Sequence, residues 1–570
     1  MRYLALACDY DGTLATDGRV DEQTLDALKR LRESGRRLIM VTGRQIDDLL
    51  AVFPATHLFD WIVAENGALL YRPASREEKR LGESPPEAFV AALEQRGVEP
   101  LAVGRVIVAT WEPHETTVLE TIRELGLELQ VIFNKGAVMV LPAGINKATG
   151  LSAALDELAL SPHNVVGIGD AENDHAFLKL CECGVAVANA LPMVKEQADL
   201  VTADARGAGT VELIERLLAS DLSEITGPQE RHPLVLGTRE DGGDLWLAPY
   251  GSNLLLTGSS GAGKSTLATA LLERLTEQGY QFCLIDPEGD YESYQDAVVL
   301  GDSQHEPDVA AALALLERPN QPVIVNLLGV ALEQRPAFLA DFLPRLQALR
   351  ARTARPHWII IDEAHHMLPR LWSGTTATLP ERMKGLLLIT VHPDHVAPTT
   401  LATVDALIAV GREPERALQT FAAAVGESPP ALEPVELAPG EALFWSRRGD
   451  GIPTRFSATP PRAEHQRHRR KYAEGALGAD KSFYFRGPQG KLNLRAQNLA
   501  LFTQLAGGID DTTWLYHLHQ GDYSRWFREA IKDDELAAAA AQVEQQPELP
   551  PAESRARIKD SIEQRYTLPE

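Results

Sequence analysis

Short apolar runs alternate with amphipathic segments through the first two hundred residues of the chain. The runs end in polar turns and predict strands over residues 3–8, 37–41, 61–64 and 165–168. Segments with helical spacing of apolar residues, such as 24–33 and 46–53, lie between them. This alternation indicates a parallel sheet connected by crossover helices.

Residues from about 84 to 140 interrupt the alternation. Their pattern predicts a helix, a strand, a second helix and two further strands, joined by a tight turn at Asn134-Lys135-Gly136. We therefore expect a mixed α/β cap, at about residues 84–142, inserted into a first domain that spans residues 1–222.

A second alternating region follows a Gly-, Pro- and polar-rich break near residues 223–233. A predicted hairpin over 233–248, turning at Asp241-Gly242-Gly243, leads into strands and helices that continue to about residue 460. The remainder, 461–570, reads as a linker and a mainly helical region, with one amphipathic helix over 511–531 and an Ala-rich helix over 536–544. The linker is basic through Arg462, Arg467, Arg469, Arg470 and Lys471. The predicted fold class is α/β, with two doubly wound parallel-sheet domains, at 1–222 and 233–460, and a mainly helical C-terminal domain.

Composition narrows the class of protein. With 570 residues the chain exceeds what one core holds, so two to four domains are expected. The net charge of −25 opposes general attraction to nucleic acid or anionic membranes. It is still compatible with a local basic channel. No apolar stretch approaches the roughly 20 residues of a membrane span, and the four cysteines lack zinc-site spacing. We expect a cytoplasmic protein with buried thiols.

The first predicted strand ends in Asp9-Tyr10-Asp11-Gly12-Thr13. A carboxylate at the carboxyl end of a parallel strand lies where open α/β sheets bind ligands. Asp9 is therefore a candidate nucleophile that would form an aspartyl-phosphate, and Asp11 a candidate acid and base for the leaving oxygen and the attacking water.

Further polar residues follow other strands of the same domain. Asp170 and Asp174 follow the strand 165–168, and together with Asp9 and Asp11 they predict a Mg²⁺ site made of hard oxygen ligands. Thr42 would hydrogen-bond the phosphoryl oxygens, and Lys147 would balance charge near Asp9.

These residues, in order, resemble the four motifs of the haloacid-dehalogenase phosphatase superfamily, in the branch with an α/β cap. The matching segments are Asp9-x-Asp11, Val41-Thr42-Gly43-Arg44, Lys147, and Gly169-Asp170-x-x-Asn173-Asp174, and Ala64-Glu65-Asn66-Gly67-Ala68 is similar to the usual entry to the cap. The resemblance covers residues 1–222 and implies hydrolysis of a small phosphate ester chosen by the cap. Three cap residues are candidates for that choice, namely Lys135, Arg105 and His114.

A second phosphate-binding motif lies in the middle of the chain. A strand over 254–257 leads into a glycine-rich loop and then a helix, which is the context that brings backbone N–H groups and a helix N-terminus to phosphates. The loop residues are Gly258, Ser259, Ser260, Gly261, Ala262, Gly263, Lys264, Ser265 and Thr266. Lys264 would contact the β- and γ-phosphates of ATP and Ser265 the Mg²⁺. After a later strand, Asp362 would hold the metal and Glu363 would activate water.

This region, over about 233–460, resembles the HerA–FtsK-type P-loop ATPases, also through Leu284-Ile285-Asp286-Pro287-Glu288-Gly289-Asp290-Tyr291. The resemblance implies a homo-oligomeric ring, often hexameric, an arginine passed to the neighbouring nucleotide, and possible DNA translocation. Arg412 and Arg416 are the arginine candidates, and Thr390 or His392 the polar residue after the strand that follows Asp362.

Three functions remain open at this stage. The leading interpretation is a bifunctional enzyme in which a Mg²⁺-dependent phosphatase is coupled to ATP hydrolysis. A polynucleotide kinase–phosphatase is the second, although Glu363 beside Asp362 favours attack by water over transfer to a hydroxyl group. The third is a sugar-phosphate phosphatase gated by ATP. In the C-terminal region, residues 481–486 interleave basic and aromatic side chains, for which a hairpin is favoured over nucleic-acid binding.

Overall fold

The computed structural model describes residues 1–223, 232–370, 384–432, 434–447, 451–462, 477, 481–488, 490–531, 533–546 and 548–566. The chain forms two compact units. The first contains residues 1–233 with 317–320 and 349–355, and the second contains the rest. The basic residues Arg467, Arg469, Arg470 and Lys471 lie outside the described residues.

The first unit is built on a sheet of eight strands in the order β12-β11-β10-β1-β2-β3-β4-β5. Its neighbouring strands are parallel from β12 through β3, whereas β4 and β5 add an antiparallel edge. The strands of this unit, including those of the cap, are β1 Ala5–Cys8, β2 Arg37–Val41, β3 Trp61–Ala64, β4 Leu69–Arg72, β5 Glu77–Arg80, β6 Ala102–Val103, β7 Val108–Trp111, β8 Leu129–Asn134, β9 Ala137–Pro142, β10 Val165–Gly169, β11 Cys183–Ala186 and β12 Leu200–Val201. Its helices are Glu22–Glu33, Ile46–Val52, Glu87–Gln95, Glu115–Glu124, Lys147–Glu157, His175–Leu180, Pro192–Gln197 and Arg206–Ser220.

The predicted inserted segment folds as a separate four-stranded antiparallel sheet, in the order β6-β7-β9-β8, with two helices. It has its own apolar core around Phe89, Leu93, Val118 and Val138. The sequence interpretation missed one strand here. The two-residue strand β6 pairs with β7, and both of its residues are exposed, so no apolar alternation marks it.

The second unit contains a sheet of eleven strands in the order β14-β13-β23-β22-β21-β15-β20-β19-β16-β18-β17. The strands from β21 to β17 are parallel, and β22, β23, β13 and β14 extend the sheet in antiparallel fashion. The strands of this sheet are β13 Leu234–Arg239, β14 Asp244–Leu247, β15 Leu254–Gly258, β16 Phe282–Asp286, β17 Val298–Leu300, β18 Val323–Asn326, β19 Trp358–Ile361, β20 Leu386–Thr390, β21 Ala406–Val410, β22 Glu441–Ser446 and β23 Thr454–Ala458. The helices of this part of the chain are Lys264–Glu277, Val309–Leu316, Arg335–Thr353, whose residues from 349 onward belong to the first unit, Ala364–Met367, Pro398–Leu401 and Pro414–Val425.

The C-terminal region is mainly helical and packs around its own core. A short hairpin of β24 (Phe483–Phe485) and β25 (Leu494–Ala496) confirms the favoured interpretation of that segment. The helices are Leu499–Gly508, Asp511–His519, Asp522–Glu529, Asp534–Glu544 and Pro551–Tyr566. Trp514, Phe527 and both phenylalanines of β24 are buried, so they serve as core and not as a stacking surface.

The prediction of one helix over 511–531 is wrong. The chain breaks at Gly521, which takes φ +67° and separates the helices Asp511–His519 and Asp522–Glu529. Glycine adopts this left-handed backbone without the steric cost of a side chain, so the helix ends there even though the apolar pattern continues. Among the described helices, none combines the length and apolar character needed to cross a bilayer.

Candidate active sites

The carboxylates predicted after β1 and β10 meet at one edge of the first sheet. β1 pairs in parallel with β10, and the Asp9 backbone N–H donates to Ile168 at 3.0 Å. Ligand oxygens of Asp9, Asp170 and Asp174 lie within 4.8 Å of one another. All three residues are buried. The structure therefore brings together three of the carboxylates that the sequence predicts at this site.

Lys147 lies among these carboxylates at the start of a helix. Its Nζ is 2.6 Å from Asp9 Oδ1 and 2.5 Å from Asp174 Oδ1, and its side chain is 2% exposed. Asn146 caps the helix by accepting from the backbone N–H groups of Ala148 and Thr149, which fixes the direction from which Lys147 enters. One buried ammonium thus bridges two carboxylates.

Burial and charge shift the ionisation of this group of residues. Burial, reinforced by the Asp174 carboxylate and opposed by Lys147, raises the pKa of Asp9 to about 8. Burial also raises the pKa of Asp170, against a hydrogen bond from Lys135. For Lys147, burial favours the neutral amine, but the attraction of Asp174 and Asp9 prevails and raises its pKa. The site holds more negative than positive charge, which favours a bound cation.

The donor set fits Mg²⁺. Asp170 Oδ1 is buried and, among the described residues, has no hydrogen-bond partner. Asp174 Oδ2 accepts from the backbone N–H groups of Asp170 and Ala171, which holds the loop in place. Gly12 takes φ +90° directly over the site, where a Cβ would lie 2.4 Å from Asp170 Oδ2. Carboxylate oxygens held this closely, with one left unsatisfied, are the ligands that a hard divalent cation prefers.

Asp11 is held apart from this buried group. Arg44 binds it through two hydrogen bonds, Nε to Oδ2 at 2.6 Å and Nη2 to Oδ1 at 2.8 Å. The Asp11 side chain is 46% exposed, in contrast to the three buried carboxylates. The sequence predicts Asp11 as a metal ligand, but the cluster of possible ligands in the structure contains Asp9, Asp170 and Asp174 and does not include Asp11. Sequence reasoning quoted Arg44 only as part of a motif and missed this contact.

Thr42 occupies the end of β2, beside β1. It is buried, and its backbone N–H donates to Val63 at 2.8 Å. Its Oγ1 accepts from the Arg44 backbone N–H at 3.1 Å. The strand register pairs Cys8 with Met40, so Thr42 lies one position beyond the level at which Asp9 follows β1.

Of the three cap candidates, only Lys135 is seen to contact the acidic site. Its Nζ lies 2.9 Å from Asp170 Oδ2, at the tip of the β8–β9 turn. Arg105 pairs instead with Asp47 and Glu78. The His114 ring is hydrogen-bonded to the Glu99 carbonyl oxygen at 3.0 Å.

A buried carboxylate also connects the cap to the sheet. Glu65, which follows β3, accepts backbone hydrogen bonds from Arg105 (2.8 Å), Val106 (2.7 Å) and Ile107 (3.0 Å). Glu65 has φ +51° and is fully buried. The motif identified this segment as the entry to the cap, but the three hydrogen bonds depend on tertiary structure that the sequence does not encode locally.

The glycine-rich loop, residues 258–266, runs from the end of β15 into the helix Lys264–Glu277. Lys264 Nζ donates to the carbonyl oxygens of Gly258 (3.0 Å) and Ser259 (2.8 Å). Gly258 has φ +151°, and a Cβ there would lie 2.2 Å from the Val410 carbonyl oxygen. Only glycine fits this close approach of β15 and β21, as the strand–loop–helix motif requires.

Asp362 and Glu363 lie at the end of β19, and β20 separates β19 from the P-loop strand β15. Burial raises the pKa of Asp362 well above its usual range, and the negative charge of Glu363 is the next largest cause. Glu363 Oε2 lies 3.4 Å from His365 Nδ1, and the same nitrogen is 3.0 Å from Thr390 Oγ1 at the end of β20. Thr390, one of the two predicted polar residues, is thus linked to the Asp362–Glu363 segment.

The loop after β16 adds acidic residues to this site. Asp286 accepts backbone hydrogen bonds from Glu288, Asp290 and Tyr291, which folds the loop back on itself. Asp290 Oδ2 consequently lies 3.4 Å from Ser265 Oγ.

From the C-terminal region, Lys481 forms an ion pair with Glu288 of this loop. Trp526 Nε1 donates to the Lys481 carbonyl oxygen at 2.8 Å, which fixes the backbone there. The sequence interpretation did not foresee this contact, because its partners are 193 residues apart.

The two arginine candidates lie after β21. Arg416 is exposed and pairs with Glu413 at 3.1 Å. Arg412 is exposed and follows Gly411, where a Cβ would lie 2.9 Å from Ala262 Cβ and 3.0 Å from Ser259 Oγ of the glycine-rich loop. Arg412 is therefore next to the loop of its own chain.

Comparison with known proteins agrees with this geometry. Residues 6–105 and 114–214 match the haloacid dehalogenase-like hydrolase family, and residues 250–391 match an AAA domain family. A phosphoglycolate phosphatase of Methanothermobacter thermautotrophicus is 32% identical over 226 residues, covering 38% of this chain and 98% of the relative. Phosphoglycolate phosphatase 2 of Saccharolobus solfataricus is 29% identical over 229 residues, covering 39% of this chain and 95% of the relative.

Among solved structures, a haloacid dehalogenase-like hydrolase from Bacteroides thetaiotaomicron matches with 22% identity and a TM-score of 0.33, covering 38% of this chain and 99% of that one. The family match, the nearly complete coverage of the first relative and the acidic site agree on the same residues of this chain. The N-terminal part of this chain is a phosphomonoester hydrolase, and its middle part is a P-loop domain that matches the AAA domain family. The chain therefore belongs, through its first two hundred or so residues, to the haloacid dehalogenase-like hydrolases.

Proposed function

We propose that the first unit is a Mg²⁺-dependent phosphatase for small phosphorylated acids of the phosphoglycolate type, and that the second unit hydrolyses ATP. The observation that carries the phosphatase assignment is the buried bridge from Lys147 to Asp9 and Asp174 beside Asp170. The proposed substrate class is supported by the names of the relatives, whose length this chain covers almost completely.

In the proposed reaction, Asp9 attacks the phosphorus and the leaving oxygen departs with its bond electrons. Asp11 donates a proton to that oxygen, and then removes a proton from the water that hydrolyses the aspartyl-phosphate. Arg44 holds the Asp11 carboxylate through two hydrogen bonds, which orients it for both steps. Thr42 binds a phosphoryl oxygen.

Two positively charged groups neutralise negative charge in this site. Lys147 stabilises the ionised Asp9 and keeps it oriented by a hydrogen bond. Asp9, Asp170 and Asp174 would hold Mg²⁺, which offsets the negative charge of the phosphoryl group when bound. These contributions place positive charge next to the group that is transferred.

Lys135 is the residue proposed to select the substrate. It extends from the cap to Asp170, and its side chain is 49% exposed, so the ammonium is accessible from the site. A carboxylate on the substrate would gain an ion pair there, which a phosphate ester of similar size without a carboxylate would lack.

The test is a comparison of phosphate release from 2-phosphoglycolate and from an aryl phosphate whose aryl group carries no charge, with and without Mg²⁺. We expect Mg²⁺-dependent turnover of both, and Lys135→Met to raise KM for 2-phosphoglycolate about tenfold while changing the aryl ester little. Equal effects on both esters would contradict the role of Lys135. The absence of Mg²⁺-dependent turnover of either would contradict the phosphatase proposal itself.

In the second unit, Lys264 and Ser265 would bind the phosphates and Mg²⁺ of ATP, with Asp362 near the metal and Glu363 activating water. The loop with Asp290 beside Ser265 supports this assignment, and it belongs to the segment that resembles the HerA–FtsK group.

We further propose a homo-oligomeric ring in which Arg412 or Arg416 reaches a neighbouring subunit, with DNA as a candidate polymer that the ring would move. Light scattering of the chain with ATP tests the ring, and a monomer under those conditions would exclude it.

The coupling of the two activities in one chain is also a proposal. It is tested by measuring phosphate-ester turnover with and without ATP, using Lys264→Ala as the control that cannot bind the nucleotide phosphates. We expect ATP to change the turnover of the wild type and not of the variant. If ATP leaves both unchanged, the two sites act independently.

A further inference from the structure

Two histidines and a glutamate meet at the edge of the first sheet opposite to the catalytic carboxylates. His163 lies in the turn before β10, Glu182 directly precedes β11, and His232 follows the last helix of the unit in sequence. Ligand atoms of all three lie within 4.8 Å of one another. Because Asp9 and Asp170 follow the carboxyl ends of β1 and β10, this second group is separated from them by the length of the strands.

Glu182 is a buried anion with two cationic or proton-donating neighbours. His163 Nδ1 lies 2.7 Å from Glu182 Oε2, and Arg2 Nη2 donates to Glu182 Oε1 at 2.6 Å. The Glu182 side chain has no exposed surface, and that of His163 is 6% exposed. The rings of His163 and His232 meet edge to face, with centroids 5.3 Å apart. The carboxylate thus presents one oxygen to Arg2 and the other to the histidines.

We propose that His163, Glu182 and His232 form a binding site for a transition-metal ion of the Zn²⁺ class. Two imidazole nitrogens and one carboxylate oxygen are a ligand set that Zn²⁺ accepts, with water in the fourth position of a tetrahedron. Bonds of about 2.0–2.1 Å place tetrahedral ligand atoms about 3.3 Å apart. The His163–Glu182 pair has to open by only about 0.6 Å from its 2.7 Å separation to reach that spacing.

The surroundings of the three side chains match what a metal site requires. Arg2 holds the Glu182 oxygen that would not bind the metal, as outer-shell hydrogen bonds commonly do for a coordinating carboxylate. The metal would replace the proton shared by His163 and Glu182, and that proton leaves to solvent. The three ligands come from separate parts of the chain, so a bound ion would attach residue 232 to the amino edge of the sheet. The role is structural, because the site is on the edge opposite to Asp9.

The site is tested by metal binding to the full-length chain. Protein stripped with a chelator is titrated with Zn²⁺ against a chromophoric chelator, in excess Mg²⁺ so that the carboxylate sites for hard cations are occupied. We expect His232→Ala to remove one tight Zn²⁺ equivalent, with a loss of affinity of at least about a hundredfold. His57→Ala is the matched control, since His57 is exposed on the same unit, and it should bind as the wild type does.

Two further measurements keep the outcome decisive. Co²⁺ substituted for Zn²⁺ should give the visible absorption of a four-coordinate ion in the wild type and not in His232→Ala. Cooperative thermal unfolding of each variant confirms that it is folded, and Zn²⁺ should raise the melting temperature of the wild type and of His57→Ala but not that of His232→Ala. If wild type and His232→Ala bind Zn²⁺ with equal stoichiometry and affinity, or if neither binds it, the proposal is wrong. The three residues are then held together without a metal, by the His163–Glu182 hydrogen bond and the contact between the two rings. Neither result depends on the phosphatase activity.

Discussion

Lys147 Nζ lies 2.6 Å from Asp9 Oδ1, and neither side chain is more than 6% exposed. A buried carboxylate is costly unless a positive charge and hydrogen bonds compensate it. Lys147 supplies both, to Asp9 and to Asp174 at once. The Lys147 ammonium therefore offsets part of the cost of burying the Asp9 carboxylate, whose pKa burial still raises to about 8.

The first prediction concerns Lys147 itself. Lys147→Met keeps the length and apolar stem of the side chain but removes the charge, so Asp9 will take up a proton more readily. We expect kcat for phosphate esters to fall at least about a hundredfold. ATP hydrolysis by the same preparation should be unchanged, since Lys147 belongs to the first unit.

Lys79→Met is the control for this variant. Lys79 is also a lysine paired with a carboxylate, that of Glu157, but both side chains are exposed. An exposed pair contributes little, so turnover should stay close to that of the wild type. A similar loss in both variants would show that the effect is not specific to the buried bridge.

The second prediction concerns the hydrogen bonds between Arg44 and Asp11. Arg44→Lys retains a positive charge but not the two parallel hydrogen bonds, so Asp11 will be oriented less well as a proton donor. We expect kcat for an alkyl phosphate, whose leaving group needs a proton, to fall about tenfold to a hundredfold. An aryl phosphate with an acidic leaving group should be affected much less.

Arg37→Lys serves as the comparison, because Arg37 is exposed and pairs with Asp60 in the same unit. Its kinetics should not distinguish the two esters. If Arg44→Lys slows both esters equally, Arg44 acts on substrate binding and does not orient the acid.

The third prediction concerns the attachment of the cap through Glu65. Glu65→Gln leaves the shape but removes the negative charge that accepts three backbone N–H groups. Hydrogen bonds to charged groups are worth about 1.5–3 kcal/mol, so we expect the free energy of unfolding of the first unit to fall by about 2–3 kcal/mol. Denaturant unfolding of the full chain measures this loss, and a change under about 0.5 kcal/mol would contradict the assigned role.

The fourth prediction is a pH dependence in the second unit. Burial, with further contributions from the neighbouring imidazoles His366, His392 and His395, lowers the pKa of His365 to about 3. The unfolded chain, with a histidine pKa near 6.5, therefore binds a proton that the folded state does not. The contribution of His365 to stability is present above pH 6.5 and is lost as the pH falls toward 3. His365→Asn should make the melting temperature of this unit less sensitive to pH between 6.5 and 5, and an unchanged pH profile would contradict this.

The positions of both candidate sites follow from the sequence because its signals are local. Asp9 directly follows a buried apolar run, and Lys264 lies within a contiguous loop motif that leads from a strand into a helix. Arg44, Glu65 and Lys481 were not predicted in their roles, because each acts through a partner that is distant in the chain and a side-chain orientation that only packing fixes. The same limit applies to His163, Glu182 and His232, whose separation in sequence hides their proximity.

Two predictions of secondary-structure elements are wrong for related reasons. The helix over 511–531 was predicted from apolar spacing, yet Gly521 ends it through its backbone conformation. The strand β6 has two exposed residues and forms only because β7 offers it a partner. Hydrophobic periodicity predicts elements that bury a face, and it is insensitive to those that do not.

The most direct test of the account is one experiment on three proteins: wild type, Asp9→Asn and Lys264→Ala, each assayed in Mg²⁺ for phosphate release from 2-phosphoglycolate and, separately, from ATP. We expect Asp9→Asn to lower the ester activity more than about a thousandfold and to keep ATP hydrolysis. We expect Lys264→Ala to lose ATP hydrolysis and to keep ester turnover measured without ATP. Loss of both activities in either variant would contradict two separate phosphate sites in one chain.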